Sequence, residues 1–424
     1  MFKNFIQKKL EKYTQKYIAK HRPKIVFVTG SVGKTTTKLA IATILNEKYR
    51  VRVHAGNHNT HLSVPLAILG INYPDNIRSL GAWLKVRRAS LKRIKSKTND
   101  CDVIVQELGT DKPGDILYFG TYLAGDIAVV TAVSPEHMEY FDSLDLIAQE
   151  ELAVSNFSGL TMINRDDIAP EFAKYITTPH IDTYGLGGVA EYRFETSDKS
   201  LLGANGQMIM PGQEPLKLTL KVSSESGVKA VVAAAAVASR LGVDVEQIKA
   251  GAAKITNAPG RMNILAGLRE SVIIDDTYNS SPLAVEAALQ ALYSESAPQR
   301  IAILGDMNEM GGVSAPEHEK IGRLCNPSLL DWVITVGPQS HEHLAPAAIL
   351  QGCQVKSFND PISAGAFAHS VLGKNAVVLA KGSQNGIFVE EALKILLHNS
   401  EDETQLVRQS PAWLEKKHKQ FDKF

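Results

Sequence analysis

Short apolar, β-branched runs alternate along this chain with longer segments whose apolar positions recur every three or four residues, a pattern that predicts an α/β fold. In the first half the runs lie at 25–29, 102–106, 127–133 and 160–163, each continuous enough for a parallel strand buried on both faces. Residues 190–222 break into short alternating stretches between Gly and Pro turns, predicting a small antiparallel addition, and an alanine-rich helix is expected over 228–241. Asn257-Ala-Pro-Gly-Arg261 interrupts the pattern, and new runs follow at 271–275, 300–304, 332–336 and 376–380. The expected organisation is a basic helix over 1–24, a central nucleotide-binding domain with a mostly parallel sheet over 25–258, and a second, Rossmann-like α/β domain over 259–424.

The opening segment places Phe2, Ile6, Leu10, Tyr13 and Tyr17 at helical spacing among Lys3, Lys8, Lys9, Lys12, Lys16 and Lys20. Such a stripe docks on a neighbouring domain, or alternatively makes a weak contact with an anionic membrane surface. A second basic segment, Lys85 to Lys97, is expected to be a solvated helix face, with an anionic substrate or lipid as the alternatives.

Composition narrows the function classes. A net charge of +1 with 21% charged residues gives no global field for nucleic acid or membrane. Three scattered cysteines, Cys101, Cys325 and Cys353, fit neither a disulfide framework nor a zinc site. There is no signal-peptide core and no apolar run of the ~18 residues a membrane span needs, so a cytoplasmic protein is expected.

The candidate chemistry begins at Thr29-Gly-Ser-Val-Gly-Lys-Thr-Thr-Thr37, where an apolar strand enters a glycine loop. Gly30, Ser31, Val32 and Gly33 let backbone N–H groups converge on phosphate oxygens. Lys34 supplies a cation, Thr35 a hydroxyl for Mg²⁺, and Thr36 continues the turn into a helix with its positive end toward the ligand. The spacing is the shorter G-x-x-G-K-T variant. Two further strands end in functional groups: Glu107 closes 103–107, and His137 follows 129–133 in a loop. Both strand ends belong to the crevice side of an open α/β sheet.

These segments, with Gly56-Asn-His-Asn59, Glu107-Leu-Gly-Thr-Asp-Lys-Pro-Gly-Asp-Ile116, Ser134-Pro-Glu-His137, Asn164-Arg-Asp-Asp167, Pro259-Gly-Arg261, Asp275-Asp-Thr-Tyr-Asn279, Leu304-Gly-Asp-Met307 and Lys381-Gly-Ser383, occur in the order found in the Mur ligase family, which the chain resembles over about residues 25–390. The resemblance implies ATP- and Mg²⁺-dependent amide synthesis through an acyl phosphate in peptidoglycan precursor assembly, with D-alanyl-D-alanine the first-choice amine. It implies that Thr35, Glu107 and His137 hold metal, that Arg261, Asn279 and Asp306 contact the nucleotide, and that Asn57, Asn59 and Lys381 are candidates for substrate. The two α/β domains are expected to close about the hinge at Pro259-Gly260. The implied partners are a peptide or sugar-peptide acceptor and an amino acid or dipeptide, bound by a monomer. Two other readings stand beside this one: a relative joining another amino acid or peptide, as in folylpolyglutamate or other cell-wall peptide synthesis, and a non-catalytic ATP-binding protein.

Three departures change the expectations. Only about 24 residues precede the nucleotide domain here, where the family has a UDP-sugar-binding domain, so the acceptor is expected to be gripped differently. The family's carbamylated lysine corresponds to Glu151, which either supplies the anionic oxygen itself or, with Glu150, decorates an exposed helix face. Ser226-Gly227 and Ser281-Pro282 replace the usual His-Asn and Asn-Pro at the adenine pocket.

Overall fold

The protein is described here from a computed structural model covering residues 2–54, 56, 58–74, 76–77, 79–135, 140–384 and 386–421. It divides into two compact units, one formed by the chain up to Lys199 with Gly203–Ile255, the other by Ser200–Leu202 with Thr256–Phe424.

The first unit is built on a nine-stranded sheet of β1 (Lys24–Thr29), β2 (Val51–Val53), β3 (Val103–Glu107), β4 (Gly125–Val130), β5 (Ser158–Asn164), β6 (Ile181–Gly185), β7 (Tyr192–Ser200), β8 (Gly203–Ile209) and β9 (Leu216–Leu220). Their order is β2-β3-β1-β4-β5-β6-β7-β8-β9. The four expected strands are present and pair in parallel, which places β1 between β3 and β4. The region 190–222 continues the sheet: β7 pairs in parallel with β6, and β8 and β9 show the expected antiparallel pairing. β2 and β6 escaped the sequence reading because β2 is three half-buried residues and β6 carries Asp182 and Thr183.

One sheet face is covered by α2 (Lys34–Leu45), α7 (Glu225–Arg240) and α8 (Val245–Ala252). The alanines of α7 let it approach α2 closely, and Gly251 of α8 sits where a Cβ would come within 2.7 Å of the Ile44 backbone. The other face carries α5 (Asp115–Gly120) and α6 (Leu144–Leu152). The basic helix α1 (Phe2–His21) is part of this unit: it packs on α3 (Ser63–Leu69) and α4 (Leu80–Lys95), burying Leu10, Thr14 and Tyr17.

The second unit holds β10 (Asn263–Ala266), β11 (Val272–Asp276), β12 (Arg300–Gly305), β13 (Trp332–Val336), β14 (Val355–Phe358) and β15 (Val377–Lys381), in the order β10-β11-β15-β12-β13-β14. All pairs are parallel except β10 with β11. Helices including α9 (Pro282–Ser294), α10 (Ser314–Leu324), α11 (Ala345–Leu350), α12 (Pro361–Val371), α13 (Glu390–Lys394) and α14 (Pro411–Phe421) complete it. The two edge strands β10 and β14 were missed because both are short and incompletely buried.

Candidate active site

The loop after β1 turns through two left-handed glycines, Gly30 at φ 124° and Gly33 at φ 87°. A Cβ on Gly30 would lie 2.3 Å from Thr131 Oγ1, so only glycine fits. Ser31 N–H donates to Ala132 C=O at 2.9 Å, and Ser31 Oγ accepts from Ser134 N–H at 3.0 Å. Thr131 Oγ1 donates to Val32 C=O at 2.6 Å and Thr29 C=O at 3.0 Å. The segment after β4 thus holds the loop's shape from outside, and Asn164 of β5 holds Thr131 in turn, at 2.7 Å. Gly33 starts α2 without a side-chain cap, leaving its first N–H groups toward the loop, where half-buried Thr36 also lies. Lys34 Nζ folds back onto Gly30 C=O at 2.5 Å and Ser31 C=O at 3.3 Å.

Glu107 closes the site from β3. Its carboxylate accepts from Thr35 Oγ1 and Lys38 Nζ, each at 3.0 Å, and from Asn59 Nδ2 at 3.1 Å. Burial disfavours its charge, but the Lys38 and Lys34 cations outweigh that and hold it below the usual carboxylate range. Lys38 was missed as a site residue. Its signal was present: a second cation one turn after Lys34, at the head of the apolar run 39–42. The hydroxyl of Thr35 and the carboxylate of Glu107 are hard oxygen donors gathered beside a phosphate loop, so the residues present fit Mg²⁺. His137 and Asn57 lie outside the described residues.

Glu150 and Glu151 are both buried, which overturns the exposed-face reading. Glu151 Oε2 accepts from Gly30 N–H at 2.7 Å and from the Thr29 hydroxyl. Glu150 points elsewhere, accepting from Gly114 N–H at 2.7 Å and Ile116 N–H at 2.6 Å at the start of α5. Adjacent helical residues diverge by about 100°, so one anchors the phosphate loop and the other the loop after Glu107.

In the second unit the turn after β11 is tightly held. Asp275 accepts from Gly260 N–H at 2.9 Å and from the Thr277 hydroxyl at 2.5 Å. Its burial, against those hydrogen bonds, raises its pKa to about 6. Lys381 is buried, with Nζ 2.6 Å from Asp276 and 2.9 Å from the Asn279 C=O. The Arg261 guanidinium stacks on Tyr278 at 4.1 Å. Arg408, paired with buried Glu390 at 2.6 Å, donates to the carbonyls of Thr277 and Tyr278. Asp306 accepts from Ser340 N–H at 2.6 Å and Gln339 N–H at 3.2 Å, an anchoring role for its carboxylate.

Residues 28–238 match the Mur ligase middle domain, and residues 260–384 the Mur ligase, glutamate ligase domain. The UDP-N-acetylmuramoyl-tripeptide--D-alanyl-D-alanine ligase of Bacillus subtilis is 26% identical, the match covering 77% of this chain and 66% of the relative. The ligase of the same name from Haemophilus influenzae is 27% identical over 86% of this chain and 75% of its own. The chain thus spans about two thirds to three quarters of these relatives. Among solved structures, MurF from Acinetobacter baumannii superposes with a TM-score of 0.74 at 24% identity, covering 92% of this chain and 79% of that one. MurF from Thermotoga maritima in complex with ADP gives 0.73 at 22% identity, covering 94% and 84%. Both share the fold.

Proposed function

This chain belongs to the Mur ligase family, and from that membership we propose that it joins a carboxylate to an amine with conversion of ATP to ADP and phosphate. The acceptor is a peptidoglycan-precursor peptide of the kind named for its relatives, and the amine is D-alanyl-D-alanine. The observation that carries this reading is the cluster of Thr35, Lys38 and Glu107 at the phosphate loop, within the segment that matches the family's middle domain.

The N-terminus of α2 and the Lys34 cation bind the β- and γ-phosphates and orient the terminal phosphorus. Thr35 and Glu107, with His137 as the further ligand the family implies, would hold Mg²⁺, whose charge would offset the repulsion between two anionic reactants. The acceptor carboxylate attacks the γ-phosphorus, ADP leaves, and the amine attacks the activated carbonyl with loss of phosphate. Arg261 and Asn279 serve the nucleotide, and Asp306 acts by anchoring the turn before residue 340. Lys381, bound to Asp276 and the Asn279 carbonyl, holds the turn after β11. The protein works as a cytoplasmic monomer.

The test is ADP release by the purified chain with UDP-N-acetylmuramoyl-tripeptide, D-alanyl-D-alanine, or both. Turnover that needs both, with one amide product, is expected. Turnover indifferent to the amine would overturn the ligase assignment.

A further inference from the structure

Two helices hold a charge that the rest of the chain does not share. α1 has six lysines and one glutamate, and α4 has six basic residues and no acid. The whole chain is balanced at 46 basic and 45 acidic residues, so the remainder is net negative. The single acid, Glu11, is buried and accepts from Tyr118 at 2.7 Å. Every lysine of α1 is exposed, as are all the basic residues of α4 except Arg93, which pairs with Asp100.

The helices lie side by side and run in the same direction. Near their starts, Ile6, Leu10 and Tyr13 share a cluster with Trp83 and Val86. Near their ends, His21 Nε2 donates to the Arg93 carbonyl at 3.2 Å. Around the N-terminal ends large apolar side chains project into solvent: Phe5 is 62% exposed, Ile77 54%, Leu80 66% and Leu84 50%.

We propose that this α1–α4 face docks the protein on an anionic lipid bilayer. Headgroup phosphates meet the lysines and arginines, while Phe5, Leu80 and Leu84 enter the boundary of the acyl region. Nucleic acid is the less fitting occupant, because single strands are held by stacking aromatics and three of the four protruding residues are aliphatic. The attachment is peripheral, since no helix among the described residues is long and apolar enough to cross a membrane. It concerns a face distinct from the phosphate loop, so ATP turnover in solution and vesicle binding are separate measurements.

The experiment is co-sedimentation of the full chain with vesicles of phosphatidylcholine alone or mixed with phosphatidylglycerol, over a salt series. Binding only to the mixed vesicles, weakening as salt rises, is expected. Replacing Lys12, Lys16, Lys85 and Arg88 by Gln together should weaken it by about fivefold per charge removed. The pair Phe5→Ser and Leu84→Ser should weaken it while leaving its salt dependence in place. Equal binding to both vesicle types, unchanged affinity in the fourfold Gln variant, or tighter binding to single-stranded RNA than to mixed vesicles would overturn the proposal.

Discussion

Lys38 and Glu107 form an ion pair with both side chains 2% exposed, so neither charge has water to fall back on. Lys38→Met should destabilise the first unit by about 3–5 kcal/mol, because it leaves a carboxylate buried without its cation. The check is a urea unfolding series. The double variant with Glu107→Leu should lose much less than the sum of its single changes, since no charge is then stranded. Glu151→Gln tests a different kind of residue. It keeps the shape of the side chain but removes the charge that receives Gly30 N–H and the Thr29 hydroxyl. ATP turnover should fall about ten- to hundredfold, the size of one or two charge-assisted hydrogen bonds. The loss should be the same with and without added bicarbonate, because wild-type Glu151 needs no carbamate. Turnover restored by bicarbonate would contradict this. Asp275 carries the pH dependence. Its folded pKa of about 6 lies above the 3.8 of an open carboxylate, so its contribution is fully present below pH 3.8 and is lost as pH rises through 6. Unfolding free energy of the second unit should therefore fall by on the order of 3 kcal/mol across that window, and Asp275→Asn should remove that slope.

At the scale of elements, what the sequence made legible follows the physics of burial. β1, β3, β4 and β5 are continuous apolar runs because both their faces are covered, and they were readable for that reason. β14, Val355–Phe358, is exposed enough to carry Lys356 and Ser357, and its short run holds no such signal. The phosphate loop was readable because its glycines and lysine are local in sequence. Lys38 against Glu107 joins residues 69 positions apart, and Thr131 against Val32 joins residues 99 apart, so only the folded sheet reveals them. Glu150 and Glu151 show the same limit. Two adjacent acids in a helix left a solvent-facing reading open beside an anionic oxygen from Glu151, yet each finds backbone N–H donors on a separate loop.

At the scale of the whole molecule, each unit has cores of its own, those of the first around Val26, Ile41 and Ala234 and around Phe27 and Ile116, those of the second around Ile303 and Leu379. Unfolding in urea should show two transitions rather than one. Lys38→Met should move only the first and Arg408→Ala only the second, as read by far-UV circular dichroism together with domain-resolved hydrogen exchange. A single transition shifted equally by both changes would contradict this. The contact of Gly251 with the Ile44 backbone has a mechanical side. Ile44 is ten residues along α2 from Lys34, about 15 Å down a nearly rigid rod whose front end is the phosphate loop. A single methyl group at residue 251 would act as a wedge behind that rod, and the rod would work as a lever. Gly251→Ala should thus loosen nucleotide binding from the far side of the unit, without touching any atom that meets the nucleotide.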